Sequence, residues 1–301
     1  MKKQYYLSLI TSIILLSFIV SCSKDFIEVK PEGRPLESTY YKNEAEATAG
    51  LVAVYDVLRK YTGGFNNMLA LSNSASDDHV AGGGGASDGF QFQVLTNFTV
   101  DGENMEISFW SDFFKGVYRA NLLLQKIPEV NMSQNLKDRF TAESRALRAL
   151  YYFELVRMFK NVPLFTEPVL PASMYDVTQA NPADVYSSIE NDLIAAINVL
   201  PGTVSDAEKG RFTKGAAQAL LGKVYLYQGK NSQAATVLAV VNGTVGGNNQ
   251  YGNHLLSNYN DLWVVSNKFN AESLLEASHA STSGAHGGIG EAMLMKETLI
   301  T

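Results

Sequence analysis

Between Asn73 and Phe92 the chain groups Asp77, Asp78 and His79 with four glycines, Gly82 to Gly85, followed by Phe90, Gln91 and Phe92. Carboxylates, an imidazole and an amide are planar hydrogen-bonding groups, and phenyl rings are flat apolar faces. A sugar ring can use both, hydroxyls for the first and C–H faces for the second. Asp77, Asp78, His79, Phe90, Gln91 and Phe92 are therefore candidate ligand contacts. The same pattern suits a solvated surface loop with two rings tucked into the core, and the residues alone leave both readings open. Two adjacent carboxylates fall short of the roughly 6 to 8 oxygens that calcium takes, so no metal is predicted.

Three other groups of residues could carry chemistry. Arg145 and Arg148, with Glu143 and Glu154, could clamp a ligand, but arginine forks more often tie scaffold elements together, and that is the reading adopted. Asn121 falls inside an apolar stripe and is expected to bond backbone carbonyls of a neighbouring helix. Tyr259 and Trp263 would make a stacking platform if exposed; burial against the scaffold is the expectation here. No serine elbow, HExxH pair or phosphate-cradling loop is present, and Gly287-Gly288-Ile289-Gly290 has no following Lys-Ser or Lys-Thr. No catalytic residue and no cofactor is predicted.

These side chains sit in a chain of 301 residues with 24 Lys and Arg against 30 Asp and Glu, so nothing supplies the basic surplus that nucleic acid demands. A single cysteine and four histidines exclude a disulfide framework and a zinc module. Lys2 and Lys3 precede an uncharged apolar run from Leu7 to Val20, shorter than the ~20 residues of a spanning helix, which is the form of a secretory signal. The sole cysteine, Cys22, follows Ile19, Val20 and Ser21, an order that resembles a bacterial lipobox. The expected layout is a signal peptide over 1–21, a lipidated N-terminus and polar tether over 22–42 beginning at Cys22, and a helical domain over 43–301. Acyl chains such as palmitate anchor without spanning.

Hydrophobic spacing defines the helices. Asn43 opens one that reaches Tyr61, striped by Leu51, Val54, Tyr55 and Leu58, and Gly63-Gly64 stops it. A long irregular loop follows to about Glu106. The next helix, 107–127, is striped by Trp110, Phe114, Val117, Asn121 and Leu124, and the one after, 133–159, by Phe140, Leu147, Tyr151, Leu155 and Met158. Asn181-Pro182 opens a helix ending before Pro201, Thr213 caps another closed by Gly229, and a last runs over 232–241. Leu221, Gly222, Tyr225, Gly229, Ala234 and Leu238 have the spacing of one tetratricopeptide repeat, whose small residues let two helices approach closely. The fold class is mainly α, a tetratricopeptide-like scaffold with long irregular loops.

The motifs taken together resemble the SusD/RagB family of outer-membrane nutrient-binding lipoproteins. The likeness runs from Cys22 through Asp25-Phe26-Ile27-Glu28-Val29-Lys30-Pro31-Glu32-Gly33, then Trp110 and Tyr118-Arg119-Ala120-Asn121. It is strongest over 142–153, from Ala142-Glu143-Ser144-Arg145 to Tyr151-Tyr152-Phe153, followed by Asn161-Val162-Pro163-Leu164. It continues through Val185-Tyr186, Asp192-Leu193, Gly210-Arg211-Phe212-Thr213 and the repeat pair to Tyr259, Asp261-Leu262 and Glu272-Ser273. The resemblance implies a non-catalytic, surface-exposed lipoprotein of the outer membrane. It would bind oligosaccharides or peptides on its long loops and deliver them to a SusC-like TonB-dependent barrel. Family members usually continue well beyond the equivalent of Thr301, which implies a short ligand side. A lipid-anchored helical scaffold without nutrient binding is the rival reading.

Overall fold

The computed structural model describes residues 40–61, 63–64, 66–169 and 176–277. The predicted signal segment, Cys22, most of the tether, the family-like opening and the stretch from His279 to Gly290 lie outside the described residues. Among these residues there are eight α-helices and no strand.

α1 (Glu44–Tyr55) starts where the sequence places it. Asn43 Oδ1 accepts the Glu46 N–H at 3.0 Å, and the Glu46 carboxylate accepts the Asn43 side-chain amide at 3.1 Å and the Lys42 N–H at 2.6 Å. The cap is reciprocal: Asn43 satisfies an N–H that the first turn leaves free, and Glu46 bonds back to the two residues before the helix. The chain then tightens into a 3-10 turn, Asp56–Tyr61. Two short helices follow, α2 (Met68–Ser74) and α3 (Phe90–Thr96), inside the segment expected to be irregular. At seven residues each they are too short for a 3.6-residue period to show in the sequence.

α4 (Ile107–Lys126), α5 (Gln134–Phe159), α6 (Pro182–Ile197), α7 (Lys214–Tyr227) and α8 (Asn231–Asn242) complete the scaffold. Ser133, Asn181 and Thr213 each accept a backbone N–H as N-caps. α1 packs on α4, α4 on α5, α5 on α6, α6 on α7 and α7 on α8. α5 is the spine, for apart from half-buried Arg145 every residue from Ala142 to Val156 is buried. A helix buried on all sides cannot display a single stripe.

The stripe read for α4 is turned by about 100°, one residue of helix. Its fully covered line is Phe109, Phe113, Gly116, Ala120 and Leu123, with Val117 and Asn121, while Trp110, Phe114 and Leu124 are only half-buried. The reason is a second contact on that flank: Trp110 meets Phe159 edge-on at 5.1 Å and Phe114 meets Phe165 at 5.8 Å. The α7–α8 hairpin confirms the repeat signature. A Cβ on Gly222 would lie inside the Leu238 side chain, and Gly229, at φ 70°, makes the turn.

Candidate ligand-binding surface

α2 and α3 pack together and carry the segment that holds the sequence-predicted contacts. The Thr96 hydroxyl donates to the Ser74 carbonyl at 3.0 Å and accepts the Ala81 N–H at 3.2 Å, clasping the end of one helix to the end of the other. Asp88 Oδ2 accepts the Gly84 N–H at 2.9 Å, and Gln93 Nε2 donates to the carbonyls of Gly85 and Asp88 at 2.9 and 2.5 Å. The glycine-rich stretch is thus folded back on α3 by its own polar groups.

Asp77, Asp78 and His79 stand exposed just beyond α2. The phenyl rings at the start of α3 divide: Phe90 is 43% exposed, whereas half-buried Phe92 packs against the core. Gln91 is half-buried. Phe92 is thus a ring tucked into the core, while Phe90 is displayed to solvent. Sequence reasoning missed Phe98. It follows the C-cap of α3 with φ 54° and 79% exposure, its N–H donating to the Leu95 carbonyl at 3.1 Å while Thr99 N–H returns to Val94 at 2.9 Å. Glycine is the usual residue there, because a Cβ is crowded in the left-handed region. A bulky ring held in that conformation and turned to solvent gains little within the chain.

The charged residues of α5 tie the scaffold together. Arg148 makes a two-pronged pair with Asp192 of α6, both bonds at 2.7 Å, and donates to Asn121 Oδ1 at 2.6 Å and the Thr166 carbonyl at 3.1 Å. Asn121 Nδ2 donates to the carbonyls of Phe165 and Glu167 at 3.0 and 3.1 Å. Those carbonyls lie on the extended segment after α5, not on a neighbouring helix as expected, since that segment crosses the flank of α4. Buried Glu143 accepts from Arg139, Arg211 and the Tyr55 hydroxyl, and Glu154 from Tyr61 and Arg157. Burial pushes the Tyr55, Tyr151 and Tyr152 phenols well above the ordinary range, and the Glu143 charge adds to the effect at Tyr55. Arg145 is half-buried beside them.

The burial expected for Tyr259 and Trp263 is overturned. They are 68% and 59% exposed, with rings 6.1 Å apart at 68°. Leu262 between them is the buried residue, so the 3-10 turn Tyr259–Trp263 hangs on an aliphatic pin and lifts both rings outward. Asn258 fixes the turn, accepting from Asn260 N–H at 3.2 Å and donating to Asp261 Oδ1 at 3.1 Å.

Among the described residues no group of three or more His, Cys, Asp or Glu is placed to hold a metal, and no helix is long and apolar enough to cross a membrane.

Residues 25–226 match the SusD-like family described as starch-binding and associating with the outer membrane, and the chain belongs to that family. A SusD-like protein of Formosa agariphila is 29% identical over 240 residues, 79% of this chain and 46% of the relative. A solved laminarin-binding SusD-like protein is 60% identical, with a TM-score of 0.77 over 79% of this chain and 52% of that one. Surface glycan-binding protein A from Bacteroides thetaiotaomicron, solved with laminarihexaose, shares the fold at 22% identity and a TM-score of 0.67, over 78% of this chain and 49% of its own. The chain spans about half the length of the curated relatives it matches.

Proposed function

We propose that this SusD-like chain is a non-catalytic glycan-binding lipoprotein of the outer membrane that takes laminarin-type glycans on the α2–α3 surface. The observation that carries the reading is its 60% identity to a laminarin-binding protein across 79% of the chain. The geometry supports it. Phe90 and Phe98 offer exposed ring faces at the two ends of α3, and Asp77, Asp78 and His79 leave polar groups in solvent on the neighbouring segment. Rings and planar polar groups are the means by which a protein holds a neutral polyhydroxyl chain. Acylation at Cys22 would keep the protein at the membrane, and the family relationship supports delivery to a SusC-like TonB-dependent barrel.

The test is affinity electrophoresis of the full chain in gels containing laminarin, with starch and a casein peptide digest as comparison ligands. Laminarin should retard the wild type and retard Phe90→Ala and Phe98→Ala less. Migration unaffected by any polysaccharide would sink the glycan reading. Purification from native outer membrane in mild detergent tests the partner, which should be a stoichiometric large barrel; recovery of the folded protein alone would refute it.

A further inference from the structure

From Tyr61 to Phe114 the chain contains no lysine or arginine. Seven of its 30 carboxylates fall in that stretch, which with His79 neutral therefore carries −7. The remaining 23 acids meet 24 bases, so everything outside it balances to +1. The net charge of the protein is gathered on the one segment that bears α2, α3 and the exposed rings of Phe90 and Phe98. An ordinary solvated surface intersperses both signs.

Four of the seven carboxylates are occupied locally. Asp88 accepts the Gly84 N–H at 2.9 Å, Asp101 the N–H groups of Glu103 and Asn104 at 2.9 and 3.0 Å, and Glu106 the Ser108 N–H at 3.0 Å. Asp112 pairs with Lys115 at 2.8 Å and Lys60 at 3.7 Å. Asp77, Asp78 and Glu103 stand exposed and pair with no lysine or arginine among the described residues.

Two closures bring these charges to the flanks of Phe98. Thr96 bonds both Ser74 and Ala81, so the 75–80 loop starts and ends beside it, and Asp77 and Asp78 each lie three residues, about 10 Å of chain at most, from one of those anchors. On the other flank Asn104 donates to the Thr99 carbonyl at 2.9 Å and accepts the Asp101 N–H at 2.8 Å, turning the Glu103 segment back toward the residue after Phe98. Such spacings are comparable to the ~8 Å over which physiological salt screens a charge. The cations that bound the segment are already engaged, Lys60 and Lys115 with Asp112 and Arg59 with Asp56 at 2.7 Å.

A sugar hydroxyl can donate to a carboxylate in a charge-assisted bond, which suits this surface to a neutral polyhydroxyl chain. The charged group of a uronate or sulfate ester is an acceptor only, and here it meets like charge with no ammonium or guanidinium to receive it. We propose that the α2–α3 surface is a charge filter that admits neutral glycans and turns away polyanionic ones, with Asp77, Asp78 and Glu103 setting that specificity by repulsion. It rests on the glycan reading above and narrows the class of ligand.

The experiment is calorimetric titration of the full chain in detergent micelles with laminarin and with carboxymethylated laminarin of the same chain length, at about 20 mM and about 500 mM salt. In low salt the anionic polymer should bind about tenfold more weakly than laminarin, since two or three unit repulsions at roughly 7 Å in water amount to that factor. High salt should shrink the gap to about threefold or less while laminarin affinity stays nearly constant. The variant carrying Asp77→Asn, Asp78→Asn and Glu103→Gln should show the narrowed gap already in low salt. The readout is the ratio of the two affinities, so a contact that these residues also make to laminarin does not mask it. Equal binding of both polymers in low salt would overturn the filter and leave the glycan reading standing. So would a gap that neither high salt nor the variant narrows, because bulk rather than charge would then exclude the carboxymethyl groups. If laminarin fails to bind at either salt, the glycan reading falls and the filter with it.

Discussion

Replacing Phe98 separates backbone strain from ligand contact, because alanine and glycine remove the same ring but only glycine removes the Cβ. A left-handed conformation costs an L-residue about 1 to 2 kcal/mol. Glycine recovers that and gives back about 0.4 to 1 kcal/mol through the freer unfolded chain. The ring itself stabilises little: with 79% of the residue exposed, about a fifth of the ~1.5 to 3 kcal/mol of a fully buried Phe applies, roughly 0.5 kcal/mol. Phe98→Ala should therefore lose about 0.5 kcal/mol, and Phe98→Gly should stand about 0.5 to 1 kcal/mol above the alanine variant, near wild type. The two carbonyl contacts at Leu95 and Val94 use backbone N–H groups and survive both changes. Urea unfolding measures the stabilities, and calorimetric titration with laminarin measures binding, which should weaken about 3- to 10-fold in both variants if one ring stacks on sugar. A glycine variant less stable than the alanine one refutes the strain argument. Unchanged laminarin affinity in both removes Phe98 from the ligand surface.

Other consequences follow from the scaffold. Arg148→Ala leaves Asp192 buried and unpaired, so it should cost about 3 to 5 kcal/mol in urea unfolding, and Arg148→Met with Asp192→Leu should cost less than either single change; a loss under 1 kcal/mol would contradict the network. Raised phenol pKa values mean that above about pH 10 the unfolded chain releases protons that folded Tyr55, Tyr151 and Tyr152 retain. Stability should then be fully present below pH 10 and fall as pH rises, with each phenol contributing about 1.4 kcal/mol per unit; Tyr152→Phe should make the slope shallower by one such share. Gly222→Ala should cost about 1 to 3 kcal/mol by driving a methyl into Leu238, and adding Leu238→Ala should recover part of the loss in a double-mutant cycle.

The scaffold was legible because its signals are local and repeated. Asn43, Ser133, Asn181 and Thr213 each cap the helix the sequence starts there, and Gly222 against Leu238 is a packing rule written in two residues. α2 and α3 were not legible, since seven residues hold too little of a period, and their order comes from Thr96 clasping Ser74 and Ala81. The α4 stripe was misread by one position for a related reason. Periodicity reports one buried face, whereas Trp110 and Phe114 are half covered by aromatic groups, Phe159 and Phe165, that lie far off in the chain.

The surfaces follow a different logic from the core. Phe90 and Phe92 are two residues apart and chemically the same, yet one faces solvent and the other packs, because on a helix that spacing turns a side chain by about 200°. Composition can nominate such residues, but only the helix decides which is displayed. At Tyr259 and Trp263 it is buried Leu262 that turns both rings outward. At Phe98 the backbone itself carries the message, since a ring exposed in a conformation that favours glycine costs stability without gaining packing. Rigid helices behind such positions make the arrangement workable. Arg148 and Glu143 lock α5 to its neighbours, and bonds made by Thr96 and Asn258 fix the short segments that carry the exposed rings. Under the proposed function, such an arrangement would lower the entropy lost when a polysaccharide settles on Phe90 and Phe98.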